Sequence, residues 1–211
     1  MNSRSEILLV FALVESAIWL SGISKPASWI SGILALFAVI YYWCKYPGRL
    51  ESIFHPCKFK KIDYCQMLMA FFACGTAIMV IAELGNPKIF SQPNLARRFA
   101  VSVLFYLGNA LWQQALLNGY FLPKMDQAIK DKAKAISAIG ILFALAHLPN
   151  PVLVPVTAIG GMLSAHFFRK TQNIYILIIA HAILAVAVMY LFPESWHHHL
   201  RVGPGFFRWN P

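Results

Sequence analysis

The segment from residue 109 to residue 121 reads Asn-Ala-Leu-Trp-Gln-Gln-Ala-Leu-Leu-Asn-Gly-Tyr-Phe. It is the second half of an apolar run that begins at Phe99, and the whole run predicts a transmembrane helix. Four carboxamides interrupt the run, namely Asn109, Gln113, Gln114 and Asn118. Because helical residues four apart share a face, the first two form one pair and the last two a second. Polar groups need partners in hydrocarbon, so this face is expected to point into a helix bundle or a wet cavity.

Composition places the whole chain in the membrane. Of 211 residues, 59% are hydrophobic and 12% are charged, and the mean hydropathy is +0.60. A soluble domain would carry about 25% charged residues. We therefore predict a single membrane domain over 1–211. It comprises variable N-terminal spans over 1–94, a core over 95–192 and an aromatic and histidine-rich tail over 193–211.

The fold class predicted from the apolar runs is an all-α membrane helical bundle with seven transmembrane helices, or eight with a re-entrant element. The runs lie at residues 7–23, 27–43, 66–84, 99–121, 135–149, 151–168 and 173–192. The fifth and sixth meet at Pro149-Asn150-Pro151 with almost no loop, which predicts an intramembrane hairpin or a tilted or broken span. The segment 122–134 is expected to be a short surface helix or loop, with Asp126 and Lys130 forming an i,i+4 pair.

Charge distribution predicts the orientation. The net charge is +10, and the basic residues lie in short loops between the apolar runs, which argues against a nucleic-acid partner. With seven spans, 12 basic residues lie on the side of the N-terminus and 6 on the other. The bias favours a cytoplasmic N-terminus, and we expect an integral protein of the cytoplasmic membrane of a prokaryote.

Three further features need an interpretation. The cysteines Cys44, Cys57, Cys65 and Cys74 have no Cys-x-x-Cys spacing, so they are expected to be reduced and structurally inert. Glu15 and Glu83 lie in apolar runs, where an acid is a functional candidate. Glu15 is expected to be protonated or paired with a histidine or an amide. The tail mixes aromatic residues and arginine with His197-His198-His199, which favours anchoring at the membrane interface over metal binding.

Three more histidines lie in or near the spans. They are His147 in Phe143-x-x-x-His147, His166 in Ser-Ala-His-Phe-Phe, and His181 in Ile-Ile-Ala-His-Ala. One such histidine is usually a hydrogen-bonded structural residue, and amides alone can be interhelical contacts worth about 0.6 kcal/mol each. Three histidines beside an amide-lined helix instead indicate a functional site.

The order of these elements resembles the CAAX prenyl protease 2 and bacteriocin-processing family of intramembrane proteases, also called CPBP or ABI. That family carries Glu-Glu-x-x-x-Arg-Gly, then Phe-x-x-x-His, then His-x-x-x-Asn, and the resemblance covers residues 95–192. It implies a helical membrane fold in which a glutamate and histidines activate water for attack on a peptide bond. The corresponding site residues here are Gln113, Gln114, Asn118, Phe143, His147 and His181.

The departures from the family pattern fall on the chemistry. Gln113 and Gln114 replace the paired glutamates, Asn118 replaces the arginine, and Ala185 replaces the asparagine. A carboxamide cannot take a proton from water, and losing a general base typically costs about 10²–10⁴-fold in rate. A change from Glu to Gln removes a negative charge and the change from Arg to Asn removes a positive one, and their occurrence together indicates remodelling rather than random damage.

Three functions are compatible with this pattern. The first is a protein that no longer cleaves and binds a membrane protein or a lipidated peptide. The second is an active CAAX-type endopeptidase whose base is Glu15, Glu83 or a histidine. The third is a divalent metal site, such as zinc, built from His147 and His181 with His166 as a further candidate ligand, or a site for a lipid-like or tetrapyrrole ligand.

Overall fold

The computed structural model describes residues 2–54, 60–85 and 89–208, and within these ranges the chain is helical with no strand. The helices are α1 (Ser3–Leu20), α2 (Lys25–Lys45), α3 (Pro47–Phe54), α4 (Lys61–Gly85), α5 (Leu95–Gln114), α6 (Leu122–Ala128), α7 (Lys132–Leu145), α8 (Leu153–Thr171), α9 (Ile174–Leu191), α10 (Glu194–His197) and α11 (Pro204–Phe207). A π-helix, Ala115–Phe121, joins α5 to α6.

Each predicted apolar run overlaps one long helix. Four helical stretches are long and apolar enough to cross a membrane on their own: Lys25–Lys45, Lys61–Gly85, Leu95–Ala128 and Ile174–Leu191. The chain is therefore an all-helical integral membrane protein. The count of seven or eight spans stays a prediction.

Capping side chains set several helix starts. Four residues before a helix have a side-chain oxygen that accepts a backbone N–H of the first turn: Asn2, Ser24, Asp131 and Asn173. Such caps satisfy donors that the helix itself leaves free. They explain why the boundaries of α1, α2, α7 and α9 fall where short polar residues interrupt the apolar runs.

The helix carrying the amides is longer than predicted, because α5, the π-helix and α6 run on without a break from Leu95 to Ala128. The segment 122–134, predicted as a surface helix or loop, begins as the helix α6 with Leu122, Lys124 and Met125 buried; the prediction is wrong for this part, whereas residues 130–134 are exposed as expected. The predicted partner of Asp126 is also wrong: it pairs with Arg169 of α8. Lys124 of α6 pairs with the Glu6 carboxylate of α1.

The fifth and sixth runs pack closely against each other as α7 and α8. Gly140 of α7 faces Gly161 of α8, and a Cβ added at Gly140 would lie 2.6 Å from the Ala158 carbonyl oxygen. Only hydrogen fits at this contact, so glycine allows the two backbones to touch. With 14 residues, α7 is about 21 Å long. It is shorter than a bilayer core of about 30 Å, in line with the predicted short fifth run.

Candidate functional site

Two of the four amides form the centre of a buried polar cluster. The Gln114 side chain is 3% exposed and Asn118 is fully buried. Asn118 donates from Nδ2 to Gln114 Oε1 at 2.7 Å and to Ser164 Oγ at 2.8 Å. The Ser164 hydroxyl donates to Gln114 Oε1 at 2.7 Å. The three side chains thus hydrogen-bond one another across α5, the π-helix and α8.

The cluster continues to His181 of α9. Gln114 Oε1 already accepts two hydrogen bonds, so its amide nitrogen Nε2 is the donor to His181 Nδ1, at 3.0 Å. In a neutral imidazole one ring nitrogen accepts and the other carries the proton. His181 therefore carries its proton on Nε2.

His147 has the opposite proton arrangement. Its Nδ1 lies 2.6 Å from the Phe143 carbonyl oxygen, which can only accept. Neutral His147 therefore carries its proton on Nδ1 and keeps a free lone pair on Nε2. The Phe143 ring packs edge-on against both imidazoles, at centroid distances of 4.7 Å to His147 and 5.8 Å to His181. The two histidines thus contact the same aromatic ring.

The first amide pair, Asn109 and Gln113, lies beside this cluster. The side chains of Asn109 and Gln113 lie within hydrogen-bonding reach of the Tyr106 hydroxyl. The Gln113 carbonyl oxygen Oε1 is buried and has no hydrogen-bond partner among the described residues. An unpaired buried acceptor costs about 1–3 kcal/mol, so a hydrogen bond donated to this atom would be stabilising.

One cavity of about 960 Å³ connects these groups. Its polar end holds Gln113, Gln114, His147 and His181, and most of the remaining wall is apolar. Helices α1, α2, α4, α5, α7, α8 and α9 all contribute to it. The geometry brings the three predicted residues Gln113, His147 and His181 onto one cavity; their catalytic role stays a prediction.

The tail forms one end of the cavity, where Trp196, Leu200 and Val202 lie in its wall. Asn150, at the α7–α8 corner, donates from Nδ2 to the carbonyl oxygens of His197 at 2.8 Å and Arg201 at 3.0 Å.

The contact continues at Gly203, whose N–H donates to the Leu148 carbonyl oxygen at 2.7 Å. Gly203 has a φ of +54°, and a Cβ there would lie 2.7 Å from the Ile18 side chain. The backbone from His197 to Gly203 is therefore packed on the helix bundle.

The three tail histidines have separate partners. His197 is fully buried, His198 stacks on Phe206 at 4.1 Å, and His199 pairs with Glu194. The metal interpretation of this tripeptide lacks support, because neighbouring residues point in different directions. Trp209, which the prediction of an interfacial anchor included, lies outside the described residues.

Several other candidate residues lie away from the cavity. His166 packs on Phe167 and is not among the lining residues, so the suggestion that it joins the other two histidines is wrong. Glu15 and Glu83 are also absent from the lining. The expected partner of Glu15 is corrected to Trp19, whose indole donates to it at 3.2 Å. Glu83 is exposed.

The residues available for a metal are therefore few. No group of three or more His, Cys, Asp and Glu that could hold an ion occurs in the described part of the chain. His147 and His181 offer two imidazoles, whereas catalytic zinc normally takes three protein ligands. Cys44, Cys65 and Cys74 are free thiols, and Cys57 lies outside the described residues.

Sequence reasoning missed Ser164 and Tyr106 as members of the site. Ser164 stands in a row of small residues on α8, Gly161-x-x-Ser164-Ala165, which indicates close packing rather than polarity. A signal was present nonetheless, because Tyr106 lies three residues before Asn109 and seven before Gln113. That spacing places it on the same helix face as the first amide pair.

Comparison with known proteins gives one match. A family model described as type II CAAX prenyl endopeptidase Rce1-like matches residues 95–187. The match begins with α5 and includes all six site positions and Ala185, and it confirms the resemblance found in the sequence. No curated protein and no solved structure shows significant similarity to the chain.

Proposed function

Residues 95–187 form a domain of the type II CAAX prenyl endopeptidase Rce1-like family, and on this premise we propose that the cavity binds a membrane partner without cleaving it. The observation that carries the proposal is the state of Gln114. It stands where the family has a glutamate, and its carboxamide is held between Asn118, Ser164 and His181.

A carboxamide in this position is a binding group and not a base. Activation of water for attack on a peptide bond needs an acceptor for its proton, and an amide has none at any accessible pH. Both hydrogen-bonding atoms of the Gln114 side chain are also used inside the protein. The residue that resemblance assigns to catalysis therefore acts in holding α5, α8 and α9 together.

The loss of charge is complete at the cavity. No Asp, Glu, Lys or Arg occurs among the described residues that line it. Asn118 is fully buried, so an arginine there would need a buried counter-charge. Neutral residues at 113, 114 and 118 remove that requirement, which supports a site kept for binding.

One observation favours a second candidate, an endopeptidase that uses a histidine as its base. His147 donates from Nδ1 to the Phe143 carbonyl, which leaves the Nε2 lone pair free. An imidazole held this way can accept a proton from water. It lacks the carboxylate partner that usually stabilises the imidazolium formed, so we rank this function second.

A cleavage assay in parallel with a binding assay tests the proposal. Purified protein is incubated with a prenylated CAAX peptide, and mass spectrometry follows the peptide while thermal unfolding reports binding. We expect the peptide to raise the unfolding temperature of the protein. We also expect the peptide to be recovered intact, in the same amount as after incubation with the His147→Ala variant. Turnover by the unmodified protein that disappears in His147→Ala would overturn the proposal in favour of the second candidate.

A further inference from the structure

The polar end of the cavity carries a hydrogen-bonding pattern that the protein itself leaves incomplete. Gln113 Oε1 is a buried acceptor with no partner among the described residues. His147 Nε2 is a second acceptor, because its Nδ1 is taken by the Phe143 carbonyl. His181 supplies a donor at Nε2, because its Nδ1 accepts from Gln114. A single hydroxyl can accept from the His181 donor and donate to one of the two acceptors, so the site matches a head group that both donates and accepts.

The remaining wall determines what such a group is attached to. From the polar end the cavity continues along aliphatic and aromatic residues of α4, α8 and α9, such as Ile78, Val156 and Val188, to the tail. Burying apolar surface there is worth about 25 cal/mol per Å². The complementary ligand therefore has an apolar chain beside its polar head.

The size of the cavity suits a small amphiphile. Its volume of about 960 Å³ is at the upper end of the usual range of small-molecule pockets, roughly 300–1,000 Å³. The space between the helices is therefore large enough for one chain-bearing molecule.

Charge selects among lipids. A charged head would enter a site whose described lining holds no Asp, Glu, Lys or Arg. The desolvation cost of an unpaired ion amounts to several kcal/mol, or at least about 100-fold in affinity. Resting on the proposed binding function, we infer that the ligand of this cavity is an uncharged long-chain amphiphile with a hydroxyl head that donates to Gln113 Oε1.

Three probes with the same chain test the head group in the purified full-length protein. They are hexadecanol, which donates and accepts, hexadecyl methyl ether, which only accepts, and hexadecyl phosphate, which is charged. Native mass spectrometry in detergent gives the dissociation constants. We expect hexadecanol to bind about three- to tenfold more tightly than the ether, from one hydrogen bond, and at least about 100-fold more tightly than the phosphate.

Variants connect the selectivity to the cavity. Gln113→Met keeps the side-chain length and removes the acceptor, so the preference for the alcohol over the ether should disappear. Gln92→Met, at an exposed position, should keep this preference.

Gly160 lines the cavity and has open space where a Cβ would stand, so Gly160→Phe should abolish binding of all three probes without disturbing the fold. Gly108→Phe is its control, because Gly108 also has open space but is exposed and outside the lining.

The outcomes separate the two proposals. Equal or tighter binding of the phosphate, or an unchanged alcohol preference in Gln113→Met, would overturn the neutral-hydroxyl inference and leave the binding function standing. Binding of no probe would also overturn this inference. The proposed function is judged separately, by whether the prenylated peptide binds and stays intact.

Discussion

Gln114 and His181 are joined side chain to side chain, with 3.0 Å between the amide nitrogen Nε2 and the ring nitrogen Nδ1. The two residues lie on α5 and α9, which pack against each other. The bond fixes the His181 tautomer and the direction of the Gln114 amide at once. It therefore couples the shape of the cavity to the stability of the bundle.

Replacement of Gln114 by leucine should destabilise the protein. Gln114→Leu keeps the approximate volume but leaves His181 Nδ1 without its donor and the Ser164 hydroxyl without its acceptor, at a cost of about 1–3 kcal/mol in the free energy of unfolding. Denaturant unfolding in detergent measures the difference. Gln92→Leu is the matched control at an exposed site, where a change within about 0.5 kcal/mol is expected. Equal midpoints for both variants would show that the cluster contributes no stability.

Asn150 both caps the start of α8 and binds the tail, and one substitution can separate these two roles. Its Oδ1 accepts the N–H groups of Val152 and Leu153 at the start of α8, and its Nδ2 donates to the carbonyls of His197 and Arg201. Asn150→Asp preserves the first role, since aspartate is an equally good helix cap. It removes both donors and sets a carboxylate against two carbonyl oxygens.

We therefore expect the tail to detach in Asn150→Asp while the helices remain folded. Two lost hydrogen bonds amount to about 1–3 kcal/mol, or roughly a 5- to 150-fold larger detached fraction. The rate of tryptic cleavage after Arg201 measures this fraction. Asn2→Asp, at a cap whose oxygen only accepts, is the control that should cleave at the unmodified rate. Slow cleavage in both variants would contradict the role given to Asn150.

Docking of the tail should also depend on pH through His197. Burial lowers the pKa of His197 from its usual 6.5, and the hydrogen bond to the Phe192 carbonyl opposes this in part. His197 Nε2–H donates to that carbonyl, so Nδ1 must stay unprotonated to accept the Leu200 N–H. Because the folded pKa lies below the unfolded one, the stabilisation is complete above about pH 6.5 and is lost as the pH falls through the lowered value.

Hydrogen exchange of the Leu200 amide at pH 7.5 and pH 5.5, corrected for intrinsic rates, measures this effect. We expect weaker protection at the lower pH. The other titratable groups near His197 are Glu194, His198 and His199. His199→Gln should therefore retain most of the pH dependence, since His199 is exposed and pairs with Glu194. In His197→Gln the dependence should vanish; its persistence there would assign the effect to another group.

Local geometry explains which parts of the site were predictable. Gln114 and Asn118 lie four residues apart, and their hydrogen bond forms even though the chain there is a π-helix. Phe143 and His147 are also four residues apart, and their rings pack at a centroid distance of 4.7 Å. Such contacts depend on the helical repeat alone. The family motif is readable in the sequence for this reason.

Contacts between distant segments were not predictable in the same way. Ser164 is 50 residues from Gln114, and nothing in a row of small residues identifies which serine will find an amide partner. Asn150 was recognised only as part of a proline-bounded corner, because the carbonyls it binds belong to a tail almost 50 residues later. A single helical pattern also cannot show that α5 continues into α6. The contact that buries Lys124 of α6 against Glu6 of α1 joins segments 118 residues apart.

The last prediction concerns restoration of catalysis. Gln113→Glu with Gln114→Glu returns both family carboxylates but should not produce cleavage above background. The two carboxylates would adjoin each other in a cavity whose described lining contains no cation, so they cannot both remain ionised. Adding Asn118→Arg supplies the counter-charge, and Ala185→Asn supplies a polar group at a position that already lines the cavity.

We therefore expect measurable cleavage of a prenylated peptide only in the quadruple variant. A restored base is worth about 10²–10⁴-fold in rate, which lifts turnover above the background of the double variant. Asn118 is fully buried, and the added volume there costs about 1–3 kcal/mol, so thermal unfolding first verifies the fold. Adding His147→Ala to the quadruple variant is the control and should abolish the gain. In the quadruple variant the His147 imidazole holds the water together with the new carboxylates, and the added substitution removes this imidazole. Cleavage by the double variant alone would instead mean that the carboxamides are the only barrier to activity and that Asn118 and Ala185 are incidental.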